Sequence, residues 1–449
     1  MTTTHNPSVV LDGLSFTWPD GTRVLDGITA AFSSGRTGLL GVNGTGKTTL
    51  LRLIVGELTP TAGTITRAGH VAYLPQNLAL RTASTVADLL GIRGKLDALR
   101  AIESGDADPR HFDALGDAWD IDARARAILD GLGLRGLDLD REVGALSGGE
   151  TVLTALAGLR LGGDEIVLLD EPTNNLDRQA RSHLYDVIPG WRGALIVVSH
   201  DVTLLDLMED TAELRTGSLT VFGGNYSTYR QHVEQEQAAV EQARRTAEQK
   251  VKTEEKQRIE AQTKLARRAR YARTDSANKR KPKIVMNQRK TEAQVSAGKL
   301  RGELDEKVEA ARREAEQQAA RLRDDAHIRI DLPDPEVPAA RRLAELHDGR
   351  GLRFVVQRPE RVALTGRNGI GKTRLLRTLV HPQSVSDAAA RATGFTDRIG
   401  YLPQRLDHLN EDRSILDTVR AAAPRALEGD LRANLARFLF RADAVHRRV

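Results

Sequence analysis

Leu146–Asp177 reads LSGGETVLTALAGLRLGGDEIVLLDEPTNNLD, and the fold follows from how its two halves join. The first half opens an apolar-periodic segment at Ser147-Gly148-Gly149. A helix starting there offers unpaired backbone N–H groups and a positive dipole end, which suit a phosphate. The second half holds a continuous apolar run, Ile166-Val167-Leu168-Leu169, that reads as a buried strand and ends in Asp170-Glu171. One such carboxylate can hold Mg2+ through water, and the other can orient an attacking water. An Asp-Glu pair at a strand end is also a common solvated loop start, so its meaning depends on the rest of the chain.

Upstream, Gly41-Val42-Asn43-Gly44-Thr45-Gly46-Lys47-Thr48 fits G-x-x-x-x-G-K-[ST], followed by Thr49 and a helical apolar pattern at Leu50, Leu51, Leu53 and Ile54. An apolar strand precedes it, as the motif requires. Its glycines let backbone N–H groups wrap phosphates, Lys47 reaches the β- and γ-phosphates, and Thr48 supplies a hydroxyl to Mg2+. Residues 9–40 before it read as short strands with turns at Pro19-Asp20-Gly21 and Ser34-Gly35. Trp18, just before Pro19, is either an edge-strand packing residue or a platform for a nucleotide base. Gln76 ends Tyr73-Leu74-Pro75-Gln76 on a loop that can swing toward metal and water. Residues 85–143 read as short helices. Ala194–Val198 is a second buried parallel-type strand ending in Ser199-His200-Asp201, where His200 can meet a γ-phosphate.

Composition bounds the class. A chain of 449 residues has room for two or three domains. With 28% charged and 4% aromatic residues its cores are aliphatic and its surface faces water. No cysteine is present, which excludes disulfides and thiolate metal sites. The N-terminal MTTTHNPSVV lacks a basic region followed by an apolar core, so no signal peptide is expected. No apolar run approaches the roughly 18–20 residues of a membrane helix. A cytoplasmic protein is expected.

These motifs, in this order, resemble an ATP-binding cassette: Walker A (Lys47, Thr48), Q-loop (Gln76), signature (Ser147, Gly148, Gly149), Walker B with its glutamate (Asp170, Glu171), D-loop (Asp177) and H-loop (His200). The resemblance implies a P-loop NTPase α/β fold with a helical subdomain, ATP and Mg2+ as ligands, and Glu171, His200 and Gln76 as catalytic groups. It places Trp18 where the family stacks adenine. Two details narrow it. The signature ends in Glu150 instead of the commoner glutamine, and DEPTNNLD is similar to the DEPTNHLD of the ABC-F group, with a conservative departure at Asn175. ABC-F proteins are soluble twin cassettes that mostly act on ribosomes.

The following stretch agrees. Val221–Tyr229, VFGGNYSTY, is similar to that group's exit from the first cassette. Gly223-Gly224 makes a turn, and Asn225 or Ser227 can cap a helix. Gln, Glu, Ala, Lys and Arg then dominate to about Asp325, reading as two polar helices joined near Thr274–Pro282. The first, at roughly 45 residues, would extend ~65 Å. Over 264–290 eleven basic residues face one acid, Asp275, while the stems mix both signs. A single-sign tip on mixed-sign stems fits a reaching arm that neutralises phosphates better than a uniformly solvated coil. The resemblance implies ribosomal RNA and P-site tRNA as partners, met largely by shape and phosphate.

Past residue 325 the pattern repeats. Arg361–Gly366 is expected as a strand, Gly366-Arg367-Asn368-Gly369-Ile370-Gly371-Lys372-Thr373 is a second P-loop, and Gln404 ends a second Q-loop. Thr373 and Gln404 are its candidate metal-side residues. Lys47 to Gln76 spans 29 residues and Lys372 to Gln404 spans 32, as an internal duplication would. Residues 436–449 are similar to the approach to the first signature, with Val449 matching Val143. The second signature, Walker B, D-loop and H-loop are absent, so the second cassette is expected to be incomplete. The expected domains are a first cassette at 1–225, a helical-hairpin linker at 226–325 and the partial cassette at 326–449. Paired cassettes sandwich ATP between one P-loop and the other's signature. Lys372, Thr373 and Gln404 can therefore face Ser147-Gly148-Gly149, and two chains can pair through their first cassettes. Monomer hydrolysis is expected to be weak, and the partial α/β core to expose apolar surface. The alternatives are the nucleotide-binding subunit of a transporter whose membrane domains lie on another chain, and a non-hydrolysing remnant.

Overall fold

A computed structural model describes residues 7–76, 83–174, 176–215, 217–277, 283–321, 328, 330, 337–348, 351–382, 390–403 and 409–448; at 269, 272–277 and 283–294 it describes the helix only. The chain forms two compact units, Met1–Tyr229 with Pro333–Arg405, and Arg230–Leu332 with Leu406–Val449.

In the first unit β1 (Pro7–Thr17), β2 (Arg23–Ser33), β3 (Gly35–Leu40), helix α1 (Lys47–Val55), β4 (Ala62–Arg67) and β5 (Val71–Leu74) come first. Helices α2 (Val86–Leu89), α3 (Arg93–Glu103), α4 (Pro109–Leu115) and α5 (Ile121–Gly131) form the helical subdomain. Then come α6 (Gly148–Gly162), β6 (Ile166–Asp170), α7 (Arg178–Val187), β7 (Ala194–Val198), α8 (Val202–Leu205), β8 (Asp210–Arg215) and β9 (Ser218–Gly223). The main sheet runs β5-β6-β7-β3-β8-β9, parallel except for the β8–β9 hairpin. A smaller antiparallel sheet runs β2-β1-β4.

β6 and β7 are buried along their whole length. Their side chains alternate between two cores, as strand geometry demands. Val167, Leu169, Leu195 and Val197 join the helical subdomain, and Ile166, Leu168, Ile196 and Val198 join α1 and the smaller sheet. These are the continuous apolar runs that a strand covered on both faces needs.

The repeat is visible in the same unit. β10 (Arg342–His347), β11 (Arg353–Gln357) and β12 (Arg391–Gly394) form an antiparallel sheet, β11-β10-β12, matching β2-β1-β4 in order. The helix after the second P-loop, Lys372–Val380, is tied to β12 where the Thr378 hydroxyl accepts from Ala392 N at 2.8 Å. The strand expected at 361–366 is not formed: these residues belong to no sheet and are exposed. Its counterpart β3 lies between β7 and β8, and among the described residues no strand lies beside 361–366. Val362, Leu364, Ile399 and Leu402 are consequently solvent-facing, Leu402 at 84%.

The second unit holds two long helices, α9 (Tyr226–Ala277, its first turn in the first unit) and α10 (Lys283–Ala320). Ion pairs Lys250–Glu314 (2.7 Å), Glu255–Arg312 (2.7 Å) and Arg258–Asp305 (3.5 Å) run in opposite sequence directions, so the helices are antiparallel. At 52 residues α9 exceeds the expected length, because the pattern of short charged and Ala residues carries no stop signal until Pro282. Lys279, Arg280 and Lys281 of the basic tip lie outside the described residues, as do the side chains of Arg273, Lys283, Arg289 and Lys290. In chain order the helix of the second P-loop is α11, followed by α12 (Ile415–Ala422) and α13 (Glu428–Arg437), with a small core of Leu416, Leu431, Leu435 and Val445. An isolated bridge Ser414–Arg448 repeats Thr85–Glu142 of the helical subdomain, in the register that sets Val449 against Val143.

Candidate nucleotide site

Strand order gathers the chemistry. β6, β7 and β3 are neighbours, so the segments leaving their C-terminal ends converge on one edge of the sheet, where open α/β sheets bind ligands. The loop after β3 carries Lys47, β6 ends in Asp170, and β7 leads to His200. A cleft of about 530 Å³ is lined there by Trp18, Asn43, Gly44, Gly46, Lys47, Thr48, Thr49, Gln76, Asp170, Glu171 and His200, all expected from sequence. Val24, Asn174 and Val198 line it too and were not anticipated.

The P-loop geometry depends on glycine at two positions. Gly46 sits at φ 96°, and an added Cβ would come within 2.4 Å of Val24 Cγ1. Gly41 sits at φ 156°, and its Cβ would meet Leu214 O at 2.6 Å. Thr45 caps the turn by donating its hydroxyl to Val42 O at 2.8 Å. Lys47 Nζ donates to Gly41 O at 2.7 Å and to Val42 O at 3.3 Å. Burial lowers the Lys47 ammonium's pKa, and the nearby Glu171 and Asp170 partly offset that.

Opposite the lysine, Asp170 is 1% and Glu171 8% exposed. Burial pushes both carboxyls above their usual range; the Thr48 and Tyr73 hydroxyls and Lys47 pull Asp170 back, and His200 pulls Glu171 back. Tyr73 OH donates to Asp170 Oδ2 at 3.3 Å, a contact that sequence reading missed although Tyr73 stands three residues before Gln76. Glu171 has φ 50°, rare for a side-chain-bearing residue and typical of sites that hold strain for function. Its N–H donates to Val198 O at 2.8 Å, which ties the turn to β7. His200 Nε2 lies 3.4 Å from Glu171 Oε1 and 3.2 Å from Asn43 Oδ1, bridging the P-loop and the glutamate.

Asp170 Oδ1 and both Glu171 oxygens are buried without a hydrogen-bond partner. Orphaned acceptors beside the Thr48 hydroxyl fit a hydrated hard dication such as Mg2+, which Thr48 and Asp170 would hold.

The signature lies outside that cleft. Ser147 caps α6 in a capping box: Glu150 N donates to Ser147 Oγ at 3.3 Å, and Ser147 N donates to Glu150 Oε2 at 2.7 Å. The second P-loop repeats the first, with Lys372 Nζ donating to Gly366 O at 2.7 Å and Arg367 O at 2.9 Å. Asn368 N donates to Asp177 Oδ2 of the D-loop at 2.9 Å, so the second P-loop meets the first cassette on its D-loop side. Gly369 and Gly371 take left-handed backbone as Gly44 and Gly46 do, and Thr373 is exposed. Gln404 and Asn175 lie outside the described residues.

The chain is similar in sequence to known ATP-binding cassette proteins. A family model described as "ABC transporter" matches residues 25–174. The "Tylosin resistance ATP-binding protein TlrC" of Streptomyces fradiae is 32% identical, covering 100% of this chain and 85% of that protein. "Uncharacterized ABC transporter ATP-binding protein YfmR" of Bacillus subtilis is 29% identical over 90% of this chain and 63% of its own length. The "Energy-dependent translational throttle protein EttA" of Mycobacterium tuberculosis is 28% identical over 88% of this chain and 69% of its own. The chain therefore spans roughly two-thirds of several of these relatives. Among solved structures, "Structure of ATP binding subunit of ABC transporter" aligns at 21% identity over 50% of this chain and 93% of that one, with a TM-score of 0.40.

Proposed function

This chain belongs to the ABC-F family of ATP-binding cassette proteins, and we propose on that premise that it binds and hydrolyses ATP at the Lys47 cleft and acts on the ribosome. The observation that carries the reading is the convergence of Lys47, Asp170, Glu171 and His200 on one cleft. Its P-loop amides and Lys47 bind the β- and γ-phosphates of ATP, and Trp18 stacks the base. Thr48 and Asp170 hold Mg2+, which when bound neutralises charge between the phosphates. Glu171, with its carboxylate raised by burial, accepts a hydrogen bond from the attacking water and orients it. His200, 3.4 Å from that carboxylate, hydrogen-bonds the γ-phosphate and fixes its position relative to the water. Lys372 and Thr373 with Ser147, Gly148 and Gly149 form a second nucleotide-binding place; Gln76 reaches toward the metal of the first site, and Gln404 is the matching Q-loop residue of the second.

The ribosomal part follows from the charge of the hairpin. A tip with eleven basic residues between 264 and 290 suits ribosomal RNA and P-site tRNA. ATP binding then draws the cassettes together and drives the hairpin in, and hydrolysis releases it. The work is done in the cytoplasm, as a translation factor or as protection against an antibiotic; TlrC is a resistance protein and EttA a translational throttle by their names. No helix among the described residues is long and apolar enough to cross a membrane. Co-sedimentation separates the readings. With ATP the chain pellets with ribosomes, and neutralising Lys279, Arg280, Lys281 and Lys283 lowers the salt slope by about 0.7 for each phosphate left without its cation. Pelleting with membranes in place of ribosomes would overturn the proposal.

A further inference from the structure

We infer that Arg367 is a charge key that seats the second P-loop against the signature helix and D-loop of the first cassette, and that it favours this pairing over one between two first cassettes. The inference rests on the reading above only for its consequence, since the contact it explains exists without nucleotide.

Asp177 does two jobs with one carboxylate. Oδ1 accepts from Ala180 N at 2.9 Å and caps α7, and Oδ2 accepts from Asn368 N at 2.9 Å. Glu150 is pinned in its capping box with Ser147. Two carboxylates fixed by backbone donors thus bound the place where the second P-loop arrives, and Arg367 is the residue immediately before Asn368. Its positive field reaches both. Glu150 is held below the usual carboxylate range first by Ser147 N–H and further by Arg141 and Arg367. Asp177 is held down first by Ala180 N–H, then by Asn368 N–H, with Arg367 adding to both.

The comparison that gives this meaning is internal to the chain. Gly366-Arg367-Asn368-Gly369 aligns with Gly41-Val42-Asn43-Gly44, so the first P-loop has valine where the second has arginine. Val42 is 76% exposed and therefore free to face a partner surface. In a pair of first cassettes it would bring an apolar side chain to Glu150 and Asp177, without the positive charge that Arg367 adds beside both. Charge complementarity of this kind selects partners more than it adds affinity. It also gives a role to the glutamate that stands where glutamine is commoner in the signature.

Amide hydrogen exchange of the 366–370 segment in the nucleotide-free full chain reads the contact directly. Arg367→Met at low salt should speed exchange there about two- to fivefold, the effect of one exposed charge interaction. Arg367→Lys should keep most of the protection, and high salt should speed wild-type exchange toward the Met variant. Glu150→Gln keeps the capping box while removing the charge; added to Arg367→Met it should bring little further change. In sedimentation, Val42→Arg should raise dimerisation, and Glu150→Gln should reverse that. Exchange at 366–370 indifferent to Arg367→Met and to salt, or effects of the two substitutions that simply add, would overturn the inference. Because no ATP is present, either result stands apart from whether the chain hydrolyses ATP.

Discussion

Glu171→Gln should make the protein more stable at neutral pH, and by an amount that disappears in acid. The glutamate is 8% exposed and neither oxygen has a hydrogen-bond partner. Burial raises its carboxyl above the ordinary glutamate value, with His200 and Lys47 only partly opposing this. For an acid whose folded value is raised, the unfolded chain loses its proton first as pH rises. Stability is therefore full below the unfolded value and falls until pH passes the raised folded one. Glutamine has the same shape and no charge, but its amide still lacks a partner, so only the charge part of the penalty is recovered. That places the gain at about 1 kcal/mol, the low end for an unsatisfied buried group. In a unit of roughly 300 residues it corresponds to about 1–2 °C in Tm. The φ of 50° is the same in both, and Asp170, also raised, is present in both, so subtraction isolates Glu171. Thermal melts of both proteins from about pH 4 to about pH 8 bracket the ordinary glutamate value and the range above it. The difference in Tm should grow with pH. A variant that melts lower than wild type at neutral pH, or a difference that does not change with pH, would refute the reasoning.

Two further substitutions probe contacts around the cleft. Tyr73→Phe removes the hydroxyl donor on Asp170 Oδ2, so it should cost about 1 kcal/mol of stability and weaken Mg2+-dependent nucleotide binding more than metal-free binding; equal weakening in titrations with and without Mg2+ would count against a positioning role. Asp206→Ala should loosen the root of the hairpin, because Asp206 accepts from Ser227 N and Ser227 Oγ, each at 2.8 Å, at the end of the short helix that follows His200. Removing this cap costs about 1 kcal/mol, seen as faster amide exchange at 227–229, and unchanged exchange there would remove Asp206 from that role.

The first cleft was legible because its chemistry is local in sequence. A phosphate loop needs glycines at fixed spacing and a lysine after them, and Gly41–Thr48 states this within eight residues. What could not be read is which strands lie side by side. The order β6-β7-β3 makes Asp170, His200 and Lys47 neighbours, and long-range pairing leaves no local mark. Tyr73 reaches Asp170 for the same reason, since β5 lies against β6. The strand expected at 361–366 shows the other side of this rule. It precedes its P-loop as β3 precedes the first, with apolar Val362, Ala363 and Leu364, but a pattern becomes a strand only when a neighbour supplies hydrogen bonds. Asp177 illustrates a residue read correctly as part of a motif whose contact, Asn368 N, lay 191 residues away.

ATP turnover by the purified chain, measured against protein concentration beside Lys47→Ala and Glu171→Gln, tests the central claim most directly. The account predicts that Lys47→Ala abolishes ATP binding at the first cleft, that Glu171→Gln binds ATP but loses turnover by about 10²-fold or more, and that wild-type turnover per chain is weak at high dilution. Turnover that survives both substitutions would place the chemistry elsewhere in the molecule and contradict it.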